Sequence, residues 1–191
     1  MENGFAKPCR CQSERKIASE LPARYRTSRL SDFSKPVARL VLEWIARPID
    51  GLLLTGAAGT GKTHLAAAIV REWISSNRRA IFRRCADLYA AIRETYRTNS
   101  SEESVLRPYF NEKLVVLDDL GSGSLSDHER RHTLEVLDRR LNACLPTVVT
   151  TNWSLEEIAE KIDDRIASRL ASFARVELAG ADRRLSPAVV R

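Results

Sequence analysis

A chain of 191 residues, 43% hydrophobic and 29% charged, has the length and composition of one ordinary globular domain, which excludes two large domains and collagen-like, mucin-like or disordered chains. No run approaches the roughly 18 uncharged apolar residues of a membrane helix and no apolar leader opens the chain, so the expected location is the cytoplasm, with no membrane partner. The 31 Lys and Arg against 25 Asp and Glu leave a formal charge of +6, compatible with a polyanionic partner without requiring one, and 4 cysteines are too sparse for a disulfide scaffold and are expected as free thiols.

Residues 1–29 are polar, carry Lys7, Arg10, Arg15, Lys16, Arg24, Arg26 and Arg29, and lack an apolar period; the expectation is a flexible basic tail with at most a short helix over 13–21. The globular domain is expected over 30–191. It opens with an amphipathic helix over 37–45, where Val37, Leu40, Val41, Trp44 and Ile45 recur at helical spacing before Pro48. Short apolar runs then alternate with helical stretches: a strand over 51–55, a helix over 63–76, a strand over 80–85, a helix over 86–96, a polar loop over 98–104 and a strand over 114–117. Ser126 with Glu129 and Ser154 with Glu157 have the S-x-x-E form that marks helix starts. Further strands are expected over 147–151 and 174–178. Repeated βα units of this length imply a mainly parallel sheet flanked by helices.

Gly56, Ala57, Ala58, Gly59, Thr60, Gly61, Lys62 and Thr63 spell GxxxxGKT between a predicted strand and a predicted helix, the setting of a phosphate-binding loop. Glycines let backbone N–H groups turn toward an anion, the helix N-terminus adds partial positive charge, Lys62 reaches the outer phosphates of ATP, and the Thr63 hydroxyl can ligate Mg2+. A magnesium–nucleotide site also needs a carboxylate facing the loop, and the strand over 114–117 runs into Asp118 and Asp119. Asp118 is expected to hold the metal and Asp119 to orient or deprotonate the attacking water. Thr150, Thr151 and Asn152 end the next core strand, and Asn152 is the preferred γ-phosphate sensor because its amide can bond both a phosphate oxygen and a water. Arg165 and Arg169 share one helix face, and an arginine near such a site can neutralise charge developing on the transferred phosphoryl group.

The ordered set GAAGTGKTH, LVVLDDLG, TTN and DRIASRL resembles the DnaC/IstB family of AAA+ ATPases, which includes helicase loaders and transposition helper ATPases. The resemblance covers about residues 21–184, including the entry segment LPARYRTSRLSDF. It implies an α/β AAA+ P-loop NTPase core with a parallel five-stranded sheet and a small or reduced C-terminal lid. It also implies that residues 56–63 with His64 bind ATP, that Lys62 and Thr63 are Walker A residues and that Asp118 and Asp119 are Walker B residues. Asn152 becomes sensor 1, Arg169 an arginine finger acting in trans, and Arg184 in GADRR, beside Arg183, a late sensor 2 arginine. The implied function is ATP-controlled helicase loading in DNA replication, by a homo-oligomer that binds single-stranded DNA, a replicative helicase, or both. Arg83, Arg84, Arg93 and Arg97, interleaved with Tyr89 and Tyr96, fall where such proteins contact single-stranded DNA.

The sequence departs from the family pattern in two places. Asp119 stands where many AAA+ proteins carry glutamate, which fits slow, switch-like hydrolysis. Fewer than thirty residues precede the core, where loaders usually carry a helicase-gripping domain, leaving a transposition helper that binds duplex DNA and a transposase as the alternative. Outside the family, the same loop would serve a small-molecule kinase. His128, Glu129 and His132 match HExxH, yet Glu129 is already engaged by the Ser126 cap, so a zinc protease using Glu156 or Glu157 as third ligand is set aside. Cys9 and Cys11 make only half a zinc site, and Cys85 and Cys144 are expected as buried apolar residues.

Overall fold

The computed structural model describes residues 10–49 and 51–180. Among these, β1 (Leu52–Thr55), β2 (Ile81–Arg84), β3 (Val115–Leu120), β4 (Thr147–Thr151) and β5 (Ala174–Glu177) form one parallel sheet in the order β2-β3-β4-β1-β5. The helices are α1 (Arg10–Glu20), α2 (Lys35–Ala46), α3 (Lys62–Ser75), α4 (Cys85–Thr98), α5 (Glu102–Asn111), α6 (Asp127–Asn142), α7 (Leu155–Lys161) and α8 (Asp164–Ala171).

Strand side chains alternate between the two faces of a sheet, and here both faces are covered, so Leu52–Leu54 of β1, Val115–Leu117 of β3 and Val148–Val149 of β4 are apolar runs, with polar residues toward the strand ends. Leu52, Leu54, Val116 and Val148 pack with residues of α1, α2 and α3 on one side. Leu53, Val115, Leu117 and Val149 pack with α4, α5, α6, α7 and α8 on the other. None of the described helices is long and apolar enough to cross a membrane.

Helix starts follow the sequence signals. The hydroxyls of Ser126 and Ser154 accept the N–H groups of Glu129 and Glu157, and both glutamates return the bond to the serine N–H.

Three expectations are corrected. The segment before residue 30 is helical over Arg10–Glu20, and Ile17 and Leu21 are buried in the core beside α3. Ile17 within the helix and Leu21 just past its end, four apart, are the residues of this segment that reach the core, too few to show a period. The polar loop over 98–104 shrinks to residues 99–101: Thr98 ends α4, Asn99 closes it in the left-handed conformation with φ 49°, and Ser101 caps α5. Pro108, inside α5, hid that helix, since proline in a helix interior removes a hydrogen bond. Cys144 is exposed rather than buried, because it takes the left-handed position (φ 51°) just past α6. Cys9, Arg183, Arg184 and the expected lid beyond β5 lie outside the described residues.

Candidate nucleotide site

In a parallel sheet all strands point the same way, so the C-terminal ends of β1, β3 and β4 share one edge, where ligands of open α/β sheets collect. An open cavity of about 640 Å³ lies there, lined by Gly59, Gly61, Lys62, Thr63 and His64 after β1, Asp118 and Asp119 of β3, and Thr150 and Asn152 of β4 and its end.

The loop between β1 and α3 needs glycine at three places. Gly56, Gly59 and Gly61 have φ of 138°, 78° and 105°, and a Cβ on Gly56 would stand 2.3 Å from the Leu178 backbone oxygen. Gly61 caps α3 with no side-chain hydrogen bond, which leaves the first-turn N–H groups of the helix directed at the cavity. Lys62 is nearly buried, and its ammonium donates to the Gly56 and Ala57 carbonyls at 2.7 Å each. The Thr60 hydroxyl donates to Ala57 O at 2.9 Å and fixes the turn.

Asp118 is buried in the next strand. Its Oδ2 accepts from the Thr63 hydroxyl at 3.3 Å and its Oδ1 from the Thr150 hydroxyl at 2.7 Å. Burial pushes the Asp118 carboxyl up from its ordinary range, the two hydroxyls pull it down, and the neighbouring Asp119 pushes it up again. A buried carboxylate facing a threonine hydroxyl at the phosphate loop suits a hard divalent cation, which prefers oxygen ligands. The residues present therefore fit Mg2+.

Asp119 is left-handed, with φ 63°, at the point where the β3–β4 register shifts between Leu117 and Leu120. The bulge turns successive acids in different directions: Asp118 goes into the core while Asp119 is half-exposed on the cavity wall. Its N–H donates to the Thr150 hydroxyl at 2.8 Å. One threonine thus holds both acids, a role invisible in the motif TTN, where sequence reasoning preferred Asn152. Asn152 is exposed on the same wall.

The rest of the wall comes from the segment read as a tail: Pro22, Arg24 and Tyr25 line the cavity. Tyr25 packs edge-on against the His64 ring with centroids 6.3 Å apart, and His64 Nε2 lies 2.7 Å from Asp32 Oδ2. That hydrogen bond from His64 holds the Asp32 carboxyl below its ordinary range.

Other predicted site residues are not brought together. Arg169 sits on α8, paired with Asp138 of α6, and does not line the cavity of its own chain. Arg165 pairs with Asp163 at 2.9 Å. Arg84 lines the cavity, Arg93 pairs with Glu129, Arg97 lies 3.3 Å from Glu94, and Arg83 lies near Tyr109. These four arginines are exposed but have different neighbours.

Comparison with known proteins agrees with this geometry. The replicative helicase loader DnaC of Escherichia coli (strain K12) is 32% identical over 134 residues, covering 70% of this chain and 55% of that protein. The chain thus spans about half the length of the curated relatives it matches. The crystal structure of DnaI superposes with a TM-score of 0.75 at 25% identity, over 89% of this chain and 100% of that one. The replication initiator DnaA bound to AMPPCP and single-stranded DNA gives 0.74 at 19% identity, over 84% of this chain and 51% of that one, which is a likeness of fold. A family profile described as IstB-like ATP binding protein matches residues 23–175. The chain therefore belongs to the IstB-like ATP-binding family, the DnaC/IstB group of AAA+ P-loop ATPases.

Proposed function

We propose that this chain is an ATP-hydrolysing helicase-loading factor of DNA replication, working as an oligomer whose assembly ATP controls and which contacts single-stranded DNA and a replicative helicase. The observation that carries the reading is the convergence of Lys62, Thr63, Asp118, Asp119 and Asn152 on one cavity at the end of the sheet. The loop amides and the N-terminus of α3 receive the triphosphate, and Lys62 exchanges its loop carbonyls for phosphate oxygens. Thr63 and Asp118 would hold Mg2+, which when bound offsets the phosphate charge. Asp119 takes the proton from a water as its oxygen bonds to the γ-phosphorus, the bond to the β-phosphate oxygen breaks, and ADP remains. Thr150 fixes the backbone of Asp119, and Asn152 orients the water. Pro22, Arg24 and Tyr25 are positioned to meet the base.

Arg169 belongs to the proposal as a group acting on the neighbouring subunit's phosphate, in keeping with its distance from the cavity of its own chain; Arg184, as a sensor 2 arginine, is carried on the family resemblance alone. Arg83, Arg84, Arg93 and Arg97 are the proposed DNA contacts, with Arg84 close enough to the cavity to feel the nucleotide. A second reading, carried on the resemblance to IstB alone, is a transposition helper that binds duplex DNA. Binding of single- and double-stranded DNA at one salt concentration separates the two.

The decisive experiment is ATP turnover in mixtures of two inactive variants. Lys62→Ala removes nucleotide binding and Arg169→Ala leaves binding but removes turnover. Mixing them restores activity, because Lys62→Ala subunits supply arginine to Arg169→Ala neighbours. Full turnover by Lys62→Ala alone refutes the site, and an inactive mixture refutes the trans arrangement.

A further inference from the structure

The HExxH histidines meet a third ligand that the sequence did not suggest. His128 and His132 lie four apart on one face of α6, and Glu102, in the first turn of α5, faces them. The two Nε2 atoms are 2.9 Å apart. His128 Nε2 is 3.2 Å from Glu102 Oε1, and His132 Nε2 is 3.0 Å from Glu102 Oε2. The Tyr96 hydroxyl, from α4, lies 2.7 Å from His128 Nε2.

With the Tyr96 hydroxyl donating to His128 Nε2 and His132 Nε2–H donating to Glu102 Oε2, protons still leave the 3.2 Å contact between His128 Nε2 and Glu102 Oε1 without a hydrogen. A carboxylate only accepts, and an imidazole nitrogen carries at most one hydrogen, so a proton serving the nitrogen–nitrogen contact is unavailable to the carboxylate. Protonating both Nε2 atoms opposes two N–H groups across 2.9 Å. A cation satisfies all three lone pairs at once. Four ligands around zinc, with bonds of about 2.0–2.1 Å, stand roughly 3.3 Å from one another; here the two nitrogens are 2.9 Å apart, each has its own Glu102 oxygen at 3.0–3.2 Å, and one atom from each of the three residues falls within 4.8 Å of the others.

The surroundings fit. The His132 side chain is 5% exposed, and its buried Nδ1 makes no hydrogen bond. Glu135 Oε2 lies 3.4 Å from that Nδ1, where a carboxylate orients a metal-bound imidazole after a small shift. Two imidazoles and one carboxylate suit zinc rather than magnesium, which distinguishes this cluster from the all-oxygen pair Thr63 and Asp118.

We propose that His128, His132 and Glu102 bind one zinc ion, with the Tyr96 hydroxyl beside the fourth position, as a clasp joining α4, α5 and α6. The site is structural and not hydrolytic. Glu129, the base in an HExxH protease, is consumed elsewhere: its Oε2 accepts the Ser126 N–H at 2.9 Å and hydroxyl at 3.0 Å, and its Oε1 pairs with Arg93.

The test uses the untagged full chain, stripped with chelator and titrated with zinc by calorimetry, together with metal content by mass spectrometry and visible absorption after cobalt substitution. One zinc per chain is expected, with the intense absorption of four-coordinate cobalt and a higher melting temperature. Glu102→Gln and His128→Gln each weaken binding at least ~10-fold, while Glu129→Gln and Cys11→Ser leave it unchanged. ATP binding and far-ultraviolet dichroism establish that each variant is folded. Absence of zinc from the parent chain, a six-coordinate cobalt spectrum, or zinc retained by folded Glu102→Gln and His128→Gln overturns the proposal.

Discussion

Thr150 offers the sharpest test of how the two acids are held. Thr150→Val keeps the shape of a side chain that is 1% exposed and removes only its hydroxyl. Two bonds disappear: the 2.7 Å donation to Asp118 Oδ1 and the 2.8 Å acceptance from the Asp119 N–H. A hydrogen bond to an ionised buried partner contributes about 1.5–3 kcal/mol, and an amide left unpaired beside a cavity open to solvent costs about 1 kcal/mol. The predicted loss is therefore about 2.5–4 kcal/mol, or roughly 5–15 °C in melting temperature for a chain of this size. Losing the hydroxyl also drives the already raised Asp118 carboxyl further up. In the window from its ordinary 3.8 to that raised value the folded state binds more protons than the unfolded one, so stability falls as pH rises and the deficit of the variant grows toward alkaline pH. Denaturant melts at several pH values, with ATP turnover measured alongside, read both effects. Thr150→Ser keeps the hydroxyl and should recover most of each. A Thr150→Val chain within ~0.5 kcal/mol of the parent, or a serine variant as damaged as valine, refutes the arrangement.

Asp118→Asn should remove magnesium-dependent turnover yet raise the stability of the nucleotide-free chain by about 1 kcal/mol, since it removes a buried charge while keeping the bond from Thr150; calorimetric melting checks this. Arg140 is fully buried, its guanidinium lowered by burial to about 10, and it donates to Tyr109 O, Glu112 O, Pro146 O and the Thr147 hydroxyl at 2.7–2.9 Å. Arg140→Met should cost about 3–5 kcal/mol by urea denaturation, because those acceptors lose their donors together. Asp163 is held at about 2, chiefly by its hydrogen bond from Arg165, so its contribution is complete above the ordinary 3.8 and disappears as pH falls toward about 2. Asp163→Asn should flatten the acid limb of the melting profile in that window.

The phosphate loop, the two capping boxes and the acid-bearing strand were legible because each is a local pattern whose chemistry is complete within a few residues. What stayed hidden depends on partners distant in the chain. Thr150 matters because a bulge in β3 brings both acids to it, which no single segment records. Glu102 reaches the histidines only because α5 exists, and Pro108 concealed α5. Arg140, within a stretch of charged residues, reads as surface, yet the carbonyls ending α5 and opening β4 enclose it. Ile17 of α1 and Leu21 just after it suffice for docking onto α3 but not for a periodic signal.

Ile17 and Leu21 tie α1 to the helix that begins at Lys62, and Pro22, Arg24 and Tyr25 continue directly into the wall beside it. Clipping the chain at residue 30 would therefore strip Pro22, Arg24 and Tyr25 from one side of the berth.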